Sequence, residues 1–220
     1  QGSVVRFTVH DLPIAPDFGA VALSERMRQM PLVRAFRSPD VDAFELVAAF
    51  DVAGGRLEGW QLIVLLVYLG HARALVVGET AVAVALPAFD PAAPAIAPAE
   101  LLGQLGFAAE TAPAGAAAEL PLPGMDARVR VVVSDGGGDW LTVSGGLSSP
   151  GPLVLRPDQL ALVDRLQNWA PVGRFLLSSS LELTAEVTCP RLGRPAAAVL
   201  RGALDGLARL LGTARLHAAR

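Results

Sequence analysis

At 220 residues the chain is long enough for one large domain or two of about 100 residues. It is 52% hydrophobic and only 18% charged, so it can fill a sizeable core and must cover much of its surface with Ala, Gly, Pro, Ser and Thr. A net charge of −3, with all 18 basic residues Arg and spread along the chain, argues against direct nucleic-acid binding, which needs a basic face.

The absence of Lys reads as the coding bias of a GC-rich genome. The single Cys189 excludes an internal disulfide, as befits a cytoplasmic protein. Gln1-Gly2-Ser3 carries no initiator Met and reads as a tag scar. The longest apolar run, residues 62–69, falls short of the ~20 residues a membrane span needs. Flanked by Arg56, Glu58, His71 and Arg73, it reads as a core helix rather than a span.

In chain order, residues 4–9 alternate as a strand. Residues 10–20, with Pro13 and Pro16, read as a connection. The spacing predicts a helix over 21–30, stopped by Pro31 because the residue before a proline avoids the α region. Residues 32–36 and 43–52 read as two strands around Ser38-Pro39-Asp40. A buried helix follows over 57–70. Leu62, Leu65, Leu66 and Leu69 line its inner face, Val64 and Tyr68 widen it, and Gly70 stops it. Residues 74–77 and 81–86 are expected to form a hairpin around Gly78-Glu79, and the Pro-rich stretch 87–98 a linker.

Pro98 suits the first position of a short helix over 99–110, with Leu101, Leu102, Leu105 and Phe107 inward. Residues 111–118 read as a mobile low-complexity loop and 119–122 as a short strand. Residues 128–133 are a strand with Val129, Val131 and Val133 on one face and Arg128 and Arg130 on the other. Gly136-Gly137-Gly138 then turns the chain into a strand over 140–144. Residues 147–155 form a loop, and Pro157 opens a helix packed through Leu160, Leu162, Val163, Leu166 and Trp169. A hairpin follows over 174–177 and 181–188, in which Leu181, Leu183, Ala185 and Val187 alternate with polar residues. The last helix begins at Pro195, buries a stripe from Val199 to Leu211 and stops at Gly212.

Three ordered matches suggest a duplication. Val33-Arg34…Ser38…Asp42-Ala43-Phe44…Val47 resembles Val129-Arg130…Ser134…Asp139-Trp140…Val143. Gln61-Leu62 resembles Gln159-Leu160, and the end of one hairpin at Leu86-Pro87 resembles the other at Cys189-Pro190. The expected fold class is α+β, a tandem repeat of two small units, each a mostly antiparallel sheet packed by helices. Residues 4–97 would form the first, diverged unit and 98–213 the second.

Asn168-Trp169-Ala170-Pro171-Val172-Gly173-Arg174-Phe175, followed by a hairpin and an apolar helix, resembles the YbjN-like family, whose fold is similar to type III secretion chaperones. The match covers residues 119–211; the first unit has Gly70-His71-Ala72-Arg73-Ala74 in place of the motif. The resemblance implies a bacterial, chaperone-like protein-binding module, usually dimeric and without a cofactor. A tandem copy could build that dimer within one chain.

Residues with chemical potential are few. Cys189 has no second Cys or nearby His and reads as a small buried thiol. His10, His71 and His217 lack ligand spacing, so no metal is expected. The glycine run at 136–138 is followed by a strand and no Lys, which excludes a phosphate loop, and Ser178-Ser179-Ser180 reads as a hairpin turn. Asp51, Glu58, Asp158 and Asp164 read as solvated or helix-end carboxylates. Trp140 and Phe44 share a repeat position, with core packing set against a ligand platform. Trp169 is expected to plug the second unit. Arg128, Arg130 and Arg34 are expected to face outward, where they could recognise an acidic client. With Trp140 they make up the candidate protein-binding set; no catalytic, metal or cofactor residue is expected.

The leading function is therefore a non-enzymatic adaptor or chaperone-like module that binds a protein client on an exposed sheet or apolar groove. The alternative is a small-ligand-binding domain or an enzyme whose site is assembled from distant residues. A nucleic-acid accessory role is disfavoured by the acidic pI of about 5.6.

Overall fold

Two runs of alternating residues, one early and one late in the chain, build two antiparallel sheets. The computed structural model describes residues 4–13, 19–38, 43–77, 85–90, 92–121, 128–146 and 152–218. In the first sheet β1 (Val4–Leu12), β2 (Val33–Arg37) and β3 (Phe44–Asp51) lie in the order β1-β3-β2, with Phe7 and Val33 both opposite Ala48. The central β3 is buried on both faces. Phe44, Leu46, Ala48 and Phe50 point into a core shared with α1 (Ala20–Met27) and α2 (Gly59–Val76). Val47 and Ala49 pack with Phe36 on the other side.

A capping box starts α2: the Gln61 side chain accepts from the Glu58 N–H at 2.8 Å, and Glu58 caps the third residue in return. The helix runs through Gly70 to Val76, so residues 74–76 are its last turn and not the first arm of a hairpin. Tyr68, Ala72, Leu75 and Val76 continue its buried stripe, which outweighs the ~1 kcal/mol a mid-helix glycine costs. Of the expected second arm, residues 81–84 lie outside the described residues. Among the described residues α2 is the one helix long and apolar enough to cross a membrane, yet one of its faces packs on the first core. Leu66, expected inward, is exposed, together with Trp60, Ile63 and Val67.

The second sheet has six strands: β4 (Glu110–Ala112), β5 (Gly115–Pro121), β6 (Arg128–Asp135), β7 (Trp140–Gly146), β8 (Arg174–Leu177) and β9 (Leu183–Pro190), in the order β4-β5-β6-β7-β9-β8. Val131 stands opposite Ala118, and Val143 opposite both Val133 and Val187. The expected loop at 111–118 is a hairpin. Its alanines lack β propensity, but Ala116 and Ala118 are small enough to pack in the second core, so tertiary packing overrides composition. Gly115 makes the turn at φ 146°, where a Cβ would come within 2.2 Å of the Val133 carbonyl oxygen.

On one face of this sheet lie α3 (Pro98–Gln104), α4 (Ala161–Trp169) and α5 (Ala196–Ala218). Leu200, Ala203, Leu207 and Leu210 of α5 pack with Val143, Ala185 and Val187, and each large side chain gains about 1.5–3 kcal/mol over exposure. The helix passes Gly212 and buries Ala214, so that glycine is not a stop. Trp169 does not plug the unit: it is half-exposed and its ring lies 4.6 Å from that of His217.

The sheets are tied together by arginines and one tryptophan. Arg34 is 1% exposed, not outward: Nη1 donates to Gly173 O and Nη2 to Ala170 O, each at 2.6 Å. Burial, reinforced by Arg6, pulls its guanidinium down to about 9. Arg174 reaches the other way, donating to the Met27, Met30 and Val33 carbonyls while its Nε meets Glu186 at 2.8 Å. Arg194 Nη2 bridges Asp51 O and Pro190 O. Trp140 is fully buried, and although it starts β7 its ring packs in the core of the first sheet against Phe50 and Phe89. The Ala170–Phe175 step is thus the seam: Gly173 sits at φ 75°, where a Cβ would come within 2.5 Å of Glu186 O.

Candidate apolar groove

Six strands are more than one long helix can cover. α5 packs on β7 and β9, α3 on β5, and a groove remains between them over β5 and β6. Its floor is the inward row of the alternating strands, Leu120, Val129 and Val131. One wall is Leu204, Leu207, Ala208 and Leu211 of α5; the other is Leu105 and Phe107, just after α3. The cavity measures about 170 Å³ and is open to solvent, with Arg201 and Asp205 at its mouth. That space suits one large apolar side chain, and the charged pair one helical turn apart can meet polar groups flanking it. Leu105 and Phe107 follow from the amphipathic spacing. Arg201 and Asp205 carry no signal in the sequence, because a charge on the outer side of a helix ordinarily means only water.

The candidate set is scattered. Arg128 and Arg130 are exposed as expected, on the sheet face opposite Val129 and Val131 and therefore away from the groove; Arg130 pairs with Glu110 at 2.9 Å. Arg34 and Trp140 are inside the seam, where neither can touch a partner. Gln167, which the sequence reading passed over, is buried and holds the backbone of Phe175 with both amide atoms, at 2.6 and 2.9 Å.

A second cavity of about 250 Å³ lies beside the seam, lined by Arg56, Glu58, Trp60, Asp90, Asp139 and Arg191 among others. Its polar groups largely hold the chain itself. Asp139 accepts from the Phe89 and Asp90 N–H groups at 2.6 and 2.7 Å, and Arg191 donates to Pro94 O and Gly138 O.

Among the described residues no group of three or more His, Cys, Asp or Glu is placed to hold a metal. Cys189 is buried, and burial pushes its thiol up to about 11. At pH 8 a thiol reagent is therefore expected to leave the native protein unmodified and to react fully once urea unfolds it; prompt native labelling would contradict the burial. Because the folded value lies above the ~8.5 of a free thiol, the stability Cys189 contributes is complete below about pH 8.5 and is lost as pH rises through about 11.

No protein-family model matches the chain, and no curated protein matches it. Among solved structures it is similar to YbjN from E. coli, a candidate transcription regulator: 13% identity, TM-score 0.37, covering 54% of this chain and 88% of that one. The likeness is a distant one of fold alone.

Proposed function

We propose that the protein is a non-enzymatic interaction module that seats an apolar side chain of a protein client in the groove between α5 and α3. In this reading it is a chaperone-like or adaptor protein of the cytoplasm, needs no cofactor, and uses residues 4–97 and 98–213 as a tandem pair of units. The observation that carries it is the groove itself: open, apolar along floor and walls, and charged only at its mouth. The cavity beside the seam favours the alternative, a small polar ligand, since arginine and carboxylate groups converge there.

Affinity capture from the native host, comparing wild type with Ala208→Glu, separates the two. Ala208 is half-buried on α5, so the substitution places a charge in the groove with little expected effect on the thermal midpoint. Client binding should fall at least tenfold. If Ala208→Glu binds as well as wild type, or if a metabolite co-purifies stoichiometrically and no protein does, the groove reading is wrong. Replacing Arg128 and Arg130 with Glu tests the outer face. An acidic client should then associate more slowly and with less dependence on salt, because both charges act at a distance from the groove.

A further inference from the structure

The cavity beside the seam holds polar atoms that the fold itself leaves unused, and two of them belong to side chains that are almost wholly buried. Gln61 is 8% exposed, and its Oε1 accepts from the Glu58 N–H at 2.8 Å. That bond fixes which end of the amide is oxygen and leaves Nε2 a donor with no partner among the described residues. Asp139 is 6% exposed; its Oδ2 takes the Phe89 and Asp90 N–H groups, and its Oδ1 accepts from nothing among the described residues. Both residues line the cavity, and neither free atom is sealed from solvent.

The more exposed groups divide the same way. Arg56 makes no hydrogen bond or ion pair among the described residues, and Arg191 places Nη1 on Pro94 O and Gly138 O while Nη2 stays free. Asp90 holds the Ala92 N–H with Oδ1 and keeps Oδ2 free. Trp60 and Phe89 meet edge to face, ring centroids 6.0 Å apart, and make an apolar corner of the same cavity.

We infer that this cavity binds a free aromatic α-amino acid as its zwitterion. The carboxylate takes the donors of Gln61, Arg56 and Arg191, and the ammonium takes Asp139 Oδ1 and Asp90. The ring enters the Trp60–Phe89 corner, where aromatic groups favour edge-to-face and offset contacts. Charge selects the class. Two arginines face three carboxylates, Glu58, Asp90 and Asp139, with Glu58 engaged as the cap of α2. An anion such as phosphate meets that acidic excess, and a plain amine leaves the arginine and glutamine donors unanswered. A zwitterion answers both sets. At about 250 Å³ the cavity is smaller than the ~300–1,000 Å³ of drug-sized sites, which suits a one-ring molecule.

Calorimetric titration with L-phenylalanine tests the site. Wild type should bind with a dissociation constant below about 1 mM, and its thermal midpoint should rise with ligand concentration. N-acetyl-L-phenylalanine keeps only the carboxylate, as a peptide C-terminus would, and L-phenylalaninamide only the ammonium, as a peptide N-terminus would. Each should bind at least tenfold more weakly. Gln61→Glu keeps the acceptor that caps α2 but loses the free donor; Asp139→Asn keeps an acceptor for the two N–H groups but loses the free one. Each should weaken L-phenylalanine at least tenfold. Gln61→Glu should cease to prefer it over L-phenylalaninamide, and Asp139→Asn should cease to prefer it over N-acetyl-L-phenylalanine. Arg56→Gln should behave as Gln61→Glu does, from an exposed position where the ligand-free thermal midpoint should not move. No binding by wild type up to about 5 mM overturns the inference. So does either analogue binding as tightly as L-phenylalanine, which would point to a peptide end, or full affinity in a folded Gln61→Glu, Asp139→Asn or Arg56→Gln. None of these outcomes involves the client groove, which Ala208→Glu tests separately.

Discussion

Arg174→Met is expected to lower the free energy of unfolding by about 3–5 kcal/mol, the usual cost of removing one member of a buried ion pair. Arg174 is 3% exposed, and the Glu186 oxygen beside it lies 2.6 Å from Nη2. Without the guanidinium, Glu186 keeps a charge in a site largely closed to water. The carbonyls of Met27, Met30 and Val33 lose their shared donor as well. Adding Glu186→Leu should recover part of the loss, since the uncompensated charge goes. It should not recover all of it, because the Met27, Met30 and Val33 carbonyls still lack the charged donor that tied them to β8. Urea unfolding of the two variants gives both numbers. A loss below about 1 kcal/mol for the single variant would mean that the seam is held elsewhere.

Trp140→Ala should cost a similar amount, about 3–5 kcal/mol, by the transfer and cavity penalties of a large buried side chain. The ring fills a space made by both halves of the chain: its strand belongs to the second sheet, its neighbours Phe50 and Phe89 to the first core. Its indole N–H donates to Pro87 O at 2.7 Å, so Trp140→Phe should lose about 1 kcal/mol for the hydrogen bond and somewhat more for the smaller ring. Trp60→Ala is the control. Trp60 is 44% exposed, so its truncation should cost markedly less. If the two alanine variants unfold at the same urea concentration, Trp140 does not join the halves.

Local periodicity carried much of the fold. The valines of β6, the alternation of β9 and the stripe of α5 are each legible because one face meets apolar atoms and the other meets water. The same rule misread residues 74–76 and 111–118. There the deciding partners are distant in sequence: the first core for the end of α2, the second core for the alanines of β5. The groove is half legible. Its apolar floor and walls follow from spacing, but which stretch of that surface goes uncovered depends on the reach of α3 and α5.

By itself the sequence determined an α+β protein with two antiparallel sheets, a buried unreactive cysteine, and outward arginines on β6. These depend on each residue's nearest neighbours along the strand or helix. Only the tertiary structure decided the fate of Arg34 and Trp140, which sit at matching steps of the sequence pattern with Arg130 and Phe44. An alternating pattern assigns a polar residue to the far side of a strand and cannot say whether that side meets water or a second sheet. For Arg130 it meets water; for Arg34 it meets the carbonyls of Ala170 and Gly173, more than 130 residues away, where a charged donor is held because those oxygens would otherwise be buried without a partner.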